Sequence, residues 1–201
     1  MDKTENEALI KAKVTDVIRH AVQTRIGDHA RQEGFQLIDL AGTQTAGQVL
    51  GNWMSIILVT GDAIRITLKL HFAYRDAKAI SQVVYGVKNP DDISDTKAVD
   101  FIKEFSNLTA GYIVKIFESV NISMGISLPL CTRGLYEIFA DYVPASKPLI
   151  RYSDIWRLEH EGHFINGSVM VEISNAKAIE ALLNYDISDE NAEDDSEFDF
   201  L

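Results

Sequence analysis

The stretch from 95 to 120, DTKAVDFIKEFSNLTAGYIVKIFESV, constrains the fold of this chain more than any other. Set at about 100° per residue, Ala98, Ile102, Phe105, Thr109, Ile113, Ile116 and Val120 fall on one broad apolar face. That spacing predicts a helix packed on a core, so the rest of the chain must supply a second layer. Ser94 or Asp95 can cap its start by accepting an orphan backbone N–H. Asn121 and Gly125 lie just past its end, where turn formers are expected. The opposite stripe reads Asp100, Glu104, Asn107, Gly111 and Glu118. Two of these are poor choices for a solvated helix face. The Asn107 side chain competes with the backbone for hydrogen bonds, and glycine at 111 costs about 1 kcal/mol against alanine. They sit one turn apart on the same side. Gly111 leaves a notch through which another surface could reach the backbone beside the Asn107 amide. The plain alternative is a solvated stripe whose glycine accepts a neighbouring loop.

The flanking sequence supplies the second layer. Residues 5–33 read as a helix, with Ala8, Leu9, Ala12, Val17, Ile18, Ala21, Val22 and Ile26 recurring at three- and four-residue steps. A short strand is expected over 35–40, then a loop over 41–47. Apolar and β-branched residues from Val49 to Val59, a turn at Gly61-Asp62, and the alternation of Ile64, Ile66, Leu68 and Leu70 predict a hairpin with one face buried. Residues 73–85 read as a helix ending at Gly86. A strand over 122–132 carries Pro129, which lacks the ladder donor and belongs at an edge or a bulge. Residues 135–149 are open between a short helix and a loop. Tyr152, Trp156 and Leu158, then Ile165, Val169, Val171 and Ile173, alternate as a second hairpin. Glu161-Gly162 is its expected turn, with Asn166-Gly167 a competing dipeptide. A short helix over 175–185 closes the body. The expected fold is α+β: a mostly antiparallel sheet of about six strands with helices packed on one face, one domain over residues 1–185.

Composition removes several function classes. No apolar run approaches the ~20 residues of a membrane span, and the N-terminus MDKTENEALIKAK has no apolar signal core. The single cysteine, Cys131, suits the cytoplasm and reads as a small strand residue. Most of the net charge of −11 is terminal: residues 186–201 contain eight acids and no base. That tail is expected to be disordered, although Phe198, Phe200 and Leu201 would suit a docking peptide. No basic patch marks a nucleic-acid surface. His20 and His29 are nine apart and read as surface residues, and His160 and His163 as exposed turn residues, so no metal centre is expected.

The pattern Asp100-x3-Glu104-x2-Asn107 with Gly111, followed by Ile126-Ser127-Leu128-Pro129 and Gly134, resembles the chemotaxis phosphatases CheC and CheX. Because the Glu-x2-Asn element occurs once in this context, the likeness is to the single-site CheX type, and it is strongest over 35–175. The resemblance implies a cytoplasmic homodimer that hydrolyses the phospho-aspartate of a CheY-like response-regulator receiver domain. It implies that Asn107 positions the attacking water and Glu104 pairs with the receiver lysine. Gly111 would allow close approach, and Asp100 would add charge at the rim. It implies no cofactor of its own, the receiver supplying Mg2+. A module that binds a receiver without turnover, or a scaffold of a chemosensory pathway, remains the alternative.

Overall fold

The computed structural model describes residues 3–40, 52–133 and 148–187. In chain order they form α1 (Lys3–Ala30), β1 (Gln36–Asp39), β2 (Trp53–Thr60), β3 (Ile64–Phe72), α2 (Tyr74–Ile80), α3 (Asp95–Ser119), β4 (Gly125–Ile126), β5 (Leu130–Arg133), β6 (Ile150–His160), β7 (His163–Ile173) and α4 (Ala176–Ile179). Short 3-10 turns follow at Pro90–Asp92 and Glu180–Asn184. The expected loop at 41–47, residues 135–147 of the ambiguous stretch, and residues 188–201 of the acidic tail lie outside the described residues.

All strand pairings are antiparallel. The order is β1-β6-β7-β3-β2-β4, with β5 also on β2: seven strands among the described residues, where about six were expected in the same mostly antiparallel sheet. The extra strand comes from the 122–132 stretch. It is not continuous but breaks into β4 and β5 around Leu128 and Pro129. Ile57, Val59, Ile64, Ile66, Leu68, Leu70, Trp156, Leu158, Ile165, Val169 and Val171 cover one face and are buried. On that face lie α1, α2 and α3, and together they form one core cluster.

The β6–β7 hairpin turns at Glu161-Gly162, where both residues have positive φ, 50° and 80°. That is the backbone a two-residue type I′ turn requires. Asn166-Gly167 instead lies within β7, and the Trp156 ring fills the space a Cβ on Gly167 would need.

Three other expectations are corrected. The first helix spans Lys3–Ala30, not 5–33; Arg31 has a φ of 53° and ends it. The second stops at Ile80, not 85: the Ile80 carbonyl accepts from the Gln32 side-chain amide at 2.7 Å, and the chain continues as turns to Gly86. β-branched Val83 and Val84 give it little reason to continue. The tail begins later than 186, since Ile187 packs against the core.

Candidate functional site

Helix α3 begins where Ser94 Oγ accepts a hydrogen bond from the Lys97 amide at 3.3 Å. Asp95 in its first turn pairs with Lys78 of α2 at 2.7 Å, a placement that also suits the helix dipole. The buried face is wider than the one-stripe pattern predicts. Phe101, Ser106, Ala110, Tyr112, Val114 and Phe117 join Ala98, Ile102, Phe105, Thr109, Ile113 and Ile116. The widening has two sources: α1 packs along one flank, and β2, β4 and β5 along the other.

Two contacts fix the helix. Ser106 Oγ donates to the Ile102 carbonyl at 2.9 Å, and Ser55 of β2 meets the same hydroxyl at 2.9 Å. This buried pair ties α3 to the sheet at the residue before Asn107. On the other flank His29 of α1 stacks on Phe101 with ring centroids 4.3 Å apart, and its Nε2 lies 3.0 Å from the Phe101 carbonyl oxygen. Burial pushes the His29 pKa down, partly offset by that hydrogen bond and by the Glu104 carboxylate.

What remains in solvent is narrow. Asp100, Glu104 and Asn107 are exposed and Gly111 is half-exposed. Steps of four, three and four residues put them on one stripe, running roughly 16 Å along the axis at ~1.5 Å per residue. Among the described residues, the Glu104 carboxylate forms no ion pair and the Asn107 amide no hydrogen bond. A Cβ built on Gly111 would meet nothing within 4 Å. Asp100 lies close enough to Tyr85 to help hold the phenol pKa up, after burial. The structure thus brings all four sequence-named residues to one surface and uses none of them in the core.

The histidines depart from expectation. His29 is not a surface residue but part of the α1–α3 contact, and His20 lies 3.4 Å from the Tyr112 hydroxyl. His160 stacks on Phe35 at 4.6 Å. His163 Nδ1 sits 3.0 Å from the buried carboxylate of Asp76. These contacts join elements far apart in sequence, so no local spacing foretold them. Among the described residues, no group of three or more His, Cys, Asp or Glu side chains could hold a metal ion. Cys131 is half-buried on β5, and burial raises its thiol pKa.

No helix among the described residues is long and apolar enough to cross a membrane. No protein-family model and no curated protein matches the sequence. Solved structures do. A chemotactic CheC-like protein from Shewanella oneidensis MR-1 matches with a TM-score of 0.62 and 16% identity, over 81% of this chain and 99% of that one. The chemotaxis protein CheX from Vibrio vulnificus matches with a TM-score of 0.60 and 14% identity, over 79% and 99%. A CheX–CheY–BeF3–Mg2+ complex from Borrelia burgdorferi matches with a TM-score of 0.56 and 14% identity, over 80% and 96%. At such identity the likeness speaks for architecture alone, and the architecture of this chain is the CheX/CheC-like fold.

Proposed function

We propose that this protein is a phosphatase for the phospho-aspartate of a CheY-like response-regulator receiver domain. The observation that carries the reading is the Glu104–Asn107–Gly111 stripe. It offers an exposed carboxylate, an exposed amide, and a helical glycine with no neighbour of its own within 4 Å. A mid-helix glycine costs about 1 kcal/mol, and nothing among the described residues requires it. A partner surface that must come close to the helix backbone does.

The chemistry suits these residues. An acyl phosphate is already activated, and a receiver brings its own Mg2+ and lysine. The phosphatase then needs neither nucleophile nor metal. It needs a group that holds water in line with phosphorus, and a carboxamide can do so by accepting one hydrogen bond from that water. Asn107 takes this role. Glu104, one turn earlier, pairs with the receiver lysine and sets the register of the two surfaces. Asp100 adds negative charge at the rim. The CheX–CheY complex among similar folds supports a receiver as partner.

The test is phosphate release from a CheY-like receiver autophosphorylated with a small acyl phosphate and Mg2+, with and without this protein. The proposal expects catalytic amounts to shorten the lifetime of the phospho-receiver. Binding without any change in that lifetime leaves a receiver-docking module and no enzyme.

A further inference from the structure

The sheet edge next to α3 is broken in a specific way. On β4, Ile126 lies opposite Val59 of β2, and on β5, Leu130 lies opposite Ile56. Between them the Ser127 amide donates to the Leu58 carbonyl at 2.9 Å, and Ser127 Oγ accepts from the Leu58 amide at 3.0 Å. Leu128 and Pro129 are therefore two residues opposite the single residue Ile57, which is a bulge. The bulge pushes Leu128 out to 89% exposure, flanked by Leu130 at 64% and Ile126 at 42%.

Its height along α3 follows from the register. Ser55 touches Ser106, and α3 runs along β2 in the same direction, because its C-terminal end feeds β4 opposite Thr60. Two strand residues beyond Ser55, at ~3.3 Å each, correspond to four or five helix residues at ~1.5 Å. That brings the Leu128 bulge level with Gly111. β5 lies on the flank of α3 that carries Lys103, whose charge reaches Cys131. Ile126, opposite core-facing Val59, and the Leu128 bulge, opposite core-facing Ile57, lie on the α3 side of the sheet, beside the Asn107–Gly111 stripe, whereas Leu130, opposite Ile56, points to the other face.

We propose that Leu128, with Ile126 beside it, is the apolar anchor of the receiver-docking face. This rests on the receiver reading of the Glu104–Asn107 stripe. Two observations favour the receiver over a second copy of this chain as occupant. The strip lies beside the notch at Gly111, so whatever reaches Asn107 also covers it. The bulge and the missing N–H of Pro129 interrupt the ladder, so a second copy cannot extend this edge as a continuous strand, whereas a partner engaging side chains can.

The experiment uses the full chain and its Leu128→Asp and Leu128→Ser variants. It measures affinity for a BeF3-loaded receiver, phosphate release against phospho-receiver concentration, sedimentation and melting temperature. With a side chain this exposed, melting should not move. Affinity should fall by on the order of tenfold or more and KM should rise accordingly, with kcat at saturation within about twofold of wild type. Wild-type affinity in both variants overturns the anchor while leaving the phosphatase reading intact. A wild-type protein that binds but releases no phosphate sinks the enzyme reading, and the affinity comparison still decides the anchor. If the wild type does not bind the loaded receiver, both fall. Variants that turn a dimer into a monomer at unchanged receiver affinity make the strip a self-association surface and overturn the proposal.

Discussion

Thr109 sits at the centre of the α3 core face, fully buried, and its hydroxyl has no partner among the described residues. An unmade hydrogen bond on a buried group costs roughly 1–3 kcal/mol. Thr109→Val keeps the shape and removes the cost. It should raise stability by about 1 kcal/mol, read in a denaturant melt as a higher midpoint at an unchanged slope. A lower midpoint would mean that the hydroxyl has a partner. His29 carries a pH signature. Its folded pKa lies below the ordinary 6.5, first because of burial, against the opposing pull of the Phe101 carbonyl and the Glu104 carboxylate and with a further push from Arg31. The unfolded chain therefore takes up the proton first. The stabilising effect is fully present above about pH 6.5 and declines as pH falls below it toward the folded pKa. His29→Phe keeps the stack on Phe101 without a titrating group, so its melting temperature should fall less than that of wild type between pH 7 and pH 5.5. Parallel curves would contradict the argument.

Helix α3 is where sequence and structure agree most closely. Its span, its Ser94 cap and its core stripe are all readable from spacing, because a helix packed on a sheet imposes its period on the residues that touch the core. The exposed stripe was readable for the opposite reason, as residues a plain helix face would avoid. Gly111 gives the element-scale prediction. Gly111→Ala should stabilise the fold by about 0.5–1 kcal/mol, since the new Cβ meets nothing. Gly111→Leu should keep that stability and lose receiver affinity. Full affinity in Gly111→Leu would return the glycine to the status of an ordinary surface residue. Elements held by side chains distant in sequence were less legible. α2 ends where the Ile80 carbonyl accepts from the Gln32 side chain, 48 residues upstream, and β4 and β5 are separated by a bulge whose hydrogen bonds come from Leu58, 69 residues upstream of Ser127. The burial of Phe101 and Tyr112 depends on His29, Arg25 and His20 of α1, contacts that no pattern within α3 encodes.

At the scale of the whole molecule, the sheet has two edges among the described residues, β1 and the broken β4–β5 line. We propose that the protein is a homodimer; with β4–β5 assigned to the receiver, β1, whose Ile38 is exposed, is left for a second copy. Sedimentation at micromolar concentration should give twice the chain mass, and a monomer alone would reject this. Between the edges, α3 packs on the sheet and on α1. The sheet and α1 clamp it on both flanks, and Glu104, Asn107 and Gly111 are left with no role in the core. That division is what the phosphatase account depends on, and the Asn107→Ala variant tests it most directly. The account predicts a folded protein that binds the loaded receiver normally and loses kcat by on the order of 10²–10³, because the amide acts only when water, phosphorus and leaving oxygen are in line. Turnover of phospho-receiver by Asn107→Ala within about twofold of wild type would contradict it.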